Sequence, residues 1–292
     1  MFPSSLQKPL HFYFNARTIF VVSCIGSILL VLLSLNYVLK NHVLENHFLN
    51  SSVLAHFRCP LNQHDMELLN RTFGVFLEVV EGANLTYFIY AGTLIGSLRH
   101  HNRIPWDDDV DVMMRADEKP RIKEVLSTRN PDYALLITGS EYSPVHWKFY
   151  PKAGRNVSDS HHRTPCIDLF FYGENETHNW NTDPDYYPEE TWLKRHIFPL
   201  HRRPFGEFSV TAPCNGPVVI GPDFNFTVCI SRSFNHMIDM FILSEPMSVP
   251  CDRLAHMHPF VRSHQVNGSS VVVETLMLGN RPISSITTQT PC

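Results

Sequence analysis

Asp107, Asp109 and Asp111 alternate with Asp108 and Val110 in the run Ile104-Pro105-Trp106-Asp107-Asp108-Asp109-Val110-Asp111-Val112. Shortly upstream stands a small-residue turn, Gly92-Thr93-Leu94-Ile95-Gly96-Ser97-Leu98-Arg99. The acids can hold a metal ion, and the turn can hold the phosphate that such an ion accompanies. Val110 and Val112 give the period of two that marks a strand with one buried face. An extended chain reaching back to Asp107 puts Asp107, Asp109 and Asp111 on one side and points Asp108 away. Same-face neighbours on a strand lie ~6.7 Å apart, so each carboxylate pair repels by roughly 2.5 kcal/mol at an effective dielectric of about 20. A divalent cation with oxygen ligands turns that repulsion into attraction. Mg2+ or Mn2+ suits a site where a substrate phosphate supplies further ligands. A solvated acidic turn is the alternative, and the upstream Gly-Thr turn and the valine alternation weigh against it.

The elements that must position these residues are legible around them. Tyr87-Phe88-Ile89-Tyr90 reads as a buried strand leading into the turn, and Leu94, Ile95 and Leu98 then fall at helical spacing. Gly92 and Thr93 therefore stand where a helix begins, with backbone N–H groups facing an anion. Residues 61–81 carry Leu68, Leu69, Phe73, Phe76, Val79 and Val80 on one face, an amphipathic helix packed under the sheet. A second helix is expected over 118–129, with Pro131 beyond its end, and strands over 134–138, 145–150 and 167–172. Lys148 holds a strand position where an apolar residue is the norm, which suits pairing with a phosphate or a site acid. Asp168 is the sole charge in its strand and needs a partner. Residues 183–222 are proline-spaced and read as loop with short strands. Trp106 is expected to pack beneath the acidic strand, with stacking on a base as the other use of its ring.

The block GTLIGSLRHHNRIPWDDDVDV resembles the signature of the LicD/fukutin family. The likeness continues through Cys166-Ile167-Asp168-Leu169-Phe170, Phe198-Pro199-Leu200, Phe205-Gly206 and Ala212-Pro213-Cys214-Asn215. It implies an α+β, nucleotidyltransferase-like fold with a mixed sheet and flanking helices. It also implies an enzyme that moves a phospho-substituent from a CDP-linked donor to a glycan. In that fold a third metal carboxylate comes from an adjacent strand, which makes Asp168 the candidate; a structural salt bridge is its alternative. The resemblance thus points to Asp107, Asp109, Asp111 and Asp168 as metal ligands and catalytic carboxylates, and to Gly92, Thr93, Arg99 and Lys148 as donor contacts. Arg99 stands inside the motif. His100, His101 and Arg103 are equally well explained as solvated surface, and Arg163 reads as a loop cation.

Residues 18–39 hold no charged residue and are long enough to span a bilayer as a helix. Lys8 and Arg17 precede them, so the positive-inside bias gives a cytoplasmic tail at 1–17, a signal anchor at 18–39 and a luminal remainder. A cleaved signal peptide is the alternative, opposed by the length of the run and the lack of a small-x-small pattern after Leu39. Residues 40–60 read as a luminal stem and 61–292 as one luminal catalytic domain. Seven N-x-Ser/Thr sequons, at Asn50, Asn70, Asn84, Asn156, Asn175, Asn225 and Asn267, fall on the luminal side. Cys24 lies in the span. The other six cysteines, Cys59, Cys166, Cys214, Cys229, Cys251 and Cys292, suit disulfides in an oxidising compartment. Zinc is the weaker alternative for want of a C-x-x-C pair. A formal net charge of −4 without a basic stripe gives nucleic-acid binding no support.

The expected protein is therefore a single-pass type II protein of the Golgi or endoplasmic reticulum membrane, using Mg2+ or Mn2+. Its expected partners are a nucleotide-activated donor and a glycan or glycoprotein acceptor. A Golgi glycosyltransferase with an Asp-x-Asp metal site would share the topology, although such an enzyme does not require the Gly-Thr turn. A non-catalytic luminal partner that keeps the fold is the third reading, and the intact acids speak against it.

Overall fold

The computed structural model describes Leu32 and residues 51–292, save 129, 130, 138–145, 158, 159, 187, 222 and 223. The expected tail at 1–17, the expected span at 18–39 apart from Leu32, and residues 40–50 of the expected stem lie outside the described residues. Among the described residues no helix is long and apolar enough to cross a membrane. Residues 51–292 form one compact unit. It includes residues read as stem: α1 (Ser51–Ala55) is followed by Phe57, which is fully buried with its ring edge-on to Trp106 at 5.1 Å between centroids.

Helix α2 (Gln63–Gly82) starts where the Asn62 side chain accepts a hydrogen bond from the Asp65 N–H at 2.9 Å. Its Leu69, Phe73, Phe76 and Val80 recur at helical spacing and are buried in the main core, each contributing roughly 1.5–3 kcal/mol of apolar burial. There they face a sheet built from the next elements. These are β1 (Tyr87–Ile89), α3 (Ala91–His100), β2 (Val110–Arg115), α4 (Lys119–Thr128), β3 (Tyr133–Leu136) and β4 (Trp147–Pro151). A two-stranded ribbon, β5 (Arg155–Asn156) with β6 (Arg163–Thr164), leads to β7 (Ile167–Glu174), β8 (His178–Asn181) and β9 (Thr191–Leu193). The helix expected over 118–129 is thus a 3-10 turn at Ala116–Glu118 running into α4.

The sheet runs β1-β2-β7-β4-β3, with β8 beside the end of β7 and β9 beside β8. β2 and β7 are parallel and their other neighbours antiparallel, so the architecture is α+β with a mixed sheet. Register decides what this sheet can do. Asp111 lies beside Asp168, and Lys148 lies on the other side of Asp168, so three charged residues form one row across β2, β7 and β4. Adjacent strands lie ~4.8 Å apart, which brings such a row within reach of a single ion.

Beyond β9 come α5 (Lys194–Ile197), the hairpin β10 (His201–Phe205) with β11 (Phe208–Ala212), and α6 (Gly216–Ile220). The chain then forms β12 (Val228–Ile230), which pairs with β15 (Ser248–Pro250) around a small ribbon of β13 (Phe234–Asn235) and β14 (Met240–Phe241). It ends in an antiparallel sheet of β16 (Phe260–Gln265), β17 (Val271–Leu278) and β18 (Arg281–Gln289). Disulfides join Cys214 to Cys292 and Cys229 to Cys251, while Cys59 and Cys166 are free thiols.

Candidate active site

The start of α3 and the middle of β2 are locked together. Tyr90 N–H donates to the Asp111 carbonyl at 3.1 Å, and Asp111 N–H donates to Thr93 Oγ1 at 2.7 Å. Thr93 therefore fixes the strand at the residue that carries a site carboxylate. Two glycines on one face of α3 then let the following loop fold back along the helix. A β-carbon at Gly96 would lie 2.5 Å from the Asn102 carbonyl oxygen and 2.8 Å from the Ile104 nitrogen. One at Gly92 would lie 2.8 Å from Asp107 Oδ2 and 3.6 Å from Asp111 Oδ2. The bare helix start is thus where the two carboxylates meet.

Asp109, Asp111 and Asp168 each offer a carboxylate oxygen within 4.8 Å of the others, and all three are buried. Lys148 Nζ donates to both oxygens of Asp168, at 2.8 and 2.7 Å. His146 Nε2 lies 3.5 Å from Asp168 Oδ2, its ring stacked on Phe170. Asp168 is thus at once a salt-bridge partner of Lys148 and a member of the acid cluster. A carboxylate bonded twice to lysine keeps further lone pairs for a cation.

Asp107, Asp108, Asp109 and His236 form a second group with the same mutual spacing. Here the strand reading needs correction. β2 begins only at Val110, so Asp107 and Asp108 lie in the turn before it. Asp108 does not face solvent. It is fully buried, 2.5 Å from Arg232 Nη1 and 2.8 Å from His236 Nδ1, while His236 Nε2 lies 3.1 Å from Asp109 Oδ2. Arg232 and His236 both pair with Asp108 and so offset most of the charge of this second group. The first group has Lys148 and His146 at Asp168 and His236 at Asp109, while Asp111 has no cation in ion-pair contact among the described residues, so this group is the better place for a cation.

The protonation of the acids agrees. Burial raises the Asp111 carboxyl to about 8, helped by Asp168 and then Asp107. Burial also pushes Asp109 well above the usual carboxylate range, against the pull of His236, and raises Asp107, with Asp108 adding to it. At Asp168 burial works the same way, but Lys148, His146 and His236 together outweigh it and hold the group at about 2. His236 resists desolvation because Asp109 and Asp108 favour its cation, which carries it up to about 10. The cluster carries more carboxylates than its own cations can neutralise. Hard oxygen donors crowded in this way fit Mg2+ or Mn2+.

Residues 84–215 match the family model described as LicD/FKTN/FKRP, nucleotidyltransferase domain. That matched stretch is here called the LicD domain. Lipopolysaccharide cholinephosphotransferase LicD of Haemophilus influenzae is 46% identical over 102 residues, covering 33% of this chain and 38% of that protein. Ribitol 5-phosphate transferase FKRP of Homo sapiens is 26% identical over 113 residues, covering 32% of this chain and 23% of that protein. An uncharacterized protein of Rickettsia typhi is 26% identical over 136 residues, covering 47% of this chain and 38% of its own. The chain spans less than half the length of each of these relatives.

Within the LicD domain the structure brings together Gly92, Thr93, Asp107, Asp109, Asp111, Lys148 and Asp168. Lys148 takes a site acid as partner. Arg99 is set apart, two turns along α3, where it donates to His100 Nε2 and to the Val228 carbonyl at 3.3 Å and lies over the Trp106 ring. Trp106 is buried, as expected, and its Nε1–H donates to the Ile230 carbonyl at 2.9 Å. His100 and His101 are buried rather than solvated, bonded to the Pro259 carbonyl and to Glu274. Arg163 donates to the Gly154 carbonyl. Sequence reasoning missed Arg232 and His236, which lie past the LicD domain in a stretch with no period and no motif.

Proposed function

We propose that this protein is a metal-dependent transferase that moves a phospho-substituent, such as ribitol phosphate, glycerol phosphate or phosphocholine, from a CDP-activated donor to a glycan. One observation carries the reading: Asp111 and Asp168 stand in register on parallel neighbouring strands, with Asp109 in reach of both, at the glycine-bare start of a helix. Two relatives whose names describe transfer of a phosphate-linked group support it, one a cholinephosphotransferase and one a ribitol 5-phosphate transferase.

Asp109 and Asp111 are the first ligands of the cation, with Asp107 and Asp168 completing the cage. A bound divalent ion supplies charge neutralisation for the donor diphosphate. The chain's own residues do the rest. Thr93 holds the β2 backbone at Asp111, Lys148 fixes the Asp168 carboxylate, and the absent side chain at Gly92 leaves room beside the helix N–H groups. A glycan hydroxyl attacks the distal phosphorus in line, CMP leaves, and a carboxylate of the cluster accepts the hydroxyl proton.

The same proposal sets the domain on the luminal side of the Golgi or endoplasmic reticulum membrane in type II orientation. Two disulfides and the exposure of the six sequon asparagines among the described residues support it. The deciding experiment incubates the purified chain with Mn2+ and a panel of CDP- and UDP-linked donors. CMP release with a phosphate-containing mass gain on the acceptor is expected. UDP release with a plain hexose gain would replace the reading with that of a glycosyltransferase.

A further inference from the structure

A cavity of about 1120 Å³ lies away from the acids, enclosed by α3, the β10–β11 hairpin, α6 and the β16–β18 sheet. Its walls are mostly apolar, with Leu98, Phe260, Val272 and Met277 among them. Its charge is unbalanced the other way from the acid site: four arginines, Arg99, Arg202, Arg203 and Arg262, line it against Asp252 and Glu274. Arg203 is committed to Glu274 through both terminal nitrogens, at 3.1 and 2.8 Å, and Arg202 to Glu81. Arg99 is different. Its residue is only 6 % exposed, yet among the described residues it has no carboxylate in ion-pair contact, and Asp107 acts on it only from a distance. Its Nε and Nη1 are taken by His100 and Val228, and Nη2 has no hydrogen-bond partner there.

A buried guanidinium without a counter-ion in contact is costly, and a planar fork of N–H donors is shaped for a phosphate or carboxylate. His100 cannot serve as that counter-ion. It accepts from Arg99 Nε through Nε2, which leaves Nδ1–H to donate to the Pro259 carbonyl, and burial with the Arg99 charge beside it depresses the ring to about 3. The space in front of Arg99 is apolar and large enough for a ligand of drug size or above.

We propose that this cavity is a binding site for an amphiphilic anion, its phosphate or carboxylate head on Arg99 and its apolar body against the β16–β18 sheet. The site is separate from the acid cluster and does not rest on the proposed transfer reaction.

The test uses the full chain in EDTA, so that no metal-bound phosphate site forms at the acids. Binding of hexyl phosphate, hexanoate, hexanol and inorganic phosphate is measured by ligand-observed NMR titration. One of the two amphiphilic anions should bind saturably and about tenfold or more tighter than hexanol, the scale of one charge-assisted contact. Which of the two binds tighter tells a phosphorylated head from a carboxylate. Arg99→Gln should erase the preference over hexanol. Val272→Trp, which crowds the apolar wall and leaves Arg99 in place, should weaken binding of both anions, and it serves if Arg99→Gln does not fold. Equal binding of anions and hexanol, or undiminished anion binding in either folded variant, overturns the proposal.

Discussion

The LicD domain and the region after residue 215 handle charge in opposite ways. In the LicD domain the acids ride on paired strands. Backbone register puts Asp111 beside Asp168, and their charge is left in excess. The later region meets the first chiefly through side chains and one disulfide. Arg232 and His236 reach Asp108, Glu274 reaches His101 and Arg203, and Cys292 is tied to Cys214. Trp106, Arg99 and His100 each reach a backbone carbonyl of the later region in return. Excess charge on a rigid sheet is chemistry waiting for a ligand, whereas matched charge between two regions is a clasp. Substitutions in the first kind should cost function at little cost in stability, and those in the second kind the reverse.

The sharpest test sets two adjacent acids against each other. Asp109→Asn should lower transfer by about a thousandfold, roughly 4 kcal/mol, by removing a cation ligand. Without metal the fold should lose little, because burial pushes the Asp109 carboxyl well above the usual carboxylate range, toward the neutral acid that asparagine resembles, and His236 keeps Asp108 as a partner. Asp108→Asn should do the opposite: it strands Arg232 and His236 and should cost about 3 kcal/mol of stability by denaturant titration. Mn2+ binding by calorimetry should survive in the fraction that folds. Equal loss of Mn2+ binding in both variants would erase the distinction between the two regions.

Glu274→Gln tests the clasp further from the acids. It weakens contacts to His101 and Arg203 made at 2.8 Å and should cost about 2 kcal/mol. The pH dependence carries a sign. Burial alone would raise the Glu274 carboxyl, but hydrogen bonds from His101 and Arg203 outweigh it and hold it below its ordinary value. A depressed folded value means stability that is complete above the unfolded carboxylate range and lost as pH falls through the folded one. The wild type should therefore lose stability on acidification more steeply than the Gln variant. Parallel acid limbs would show that Glu274 is not paired in solution.

Cation affinity at the acid cluster should also depend on pH. Asp111 sits at about 8, so near neutrality a cation must displace its proton. Mn2+ affinity should climb about tenfold per pH unit from pH 6 toward 8, roughly 1.4 kcal/mol per unit, with Asp109 able to add to the slope. In Asp111→Asn that slope should drop. A flat profile in the wild type would place the ion elsewhere.

How far the sequence could be read follows the same division. The helix at 63–82 and strands β1, β2 and β7 were legible because each sets its own period of apolar residues, and the Gly-Thr turn and spaced acids lay within one short block. The register across β2, β7 and β4 was not legible, since pairing of Asp111, Asp168 and Lys148 depends on how distant strands align. Asp108 was misjudged because alternation was extended back past Val110 into a turn. Its true partners, Arg232 and His236, come from a segment with no local signature. The final sheet did carry signals, Asn267-Gly268 and Gly279-Asn280 at its two reversals, and such pairs mark hairpins.

The finest division between the two kinds of region is at Gly92, which touches both the helix and the acids. Its backbone is outside the left-handed region, so alanine is allowed there, and an alanine near a helix start should gain up to about 0.5 kcal/mol of stability over glycine. The new methyl would meet Asp107 Oδ2 at 2.8 Å but Asp111 Oδ2 only at 3.6 Å, an ordinary contact. Asp107 is the end of a flexible side chain and can swing aside, so the fold should tolerate the change while the cation site loses one of its carboxylates. We expect Gly92→Ala to weaken Mn2+ binding about fivefold, roughly 1 kcal/mol, with the unfolding midpoint without metal unchanged or slightly higher. Unchanged Mn2+ affinity would remove Asp107 from the cation cage and leave Asp109, Asp111 and Asp168 to hold the ion alone. A large loss of stability would instead mean that Asp107 cannot move, and that even this edge of the acid cluster is held as rigidly as the strands behind it.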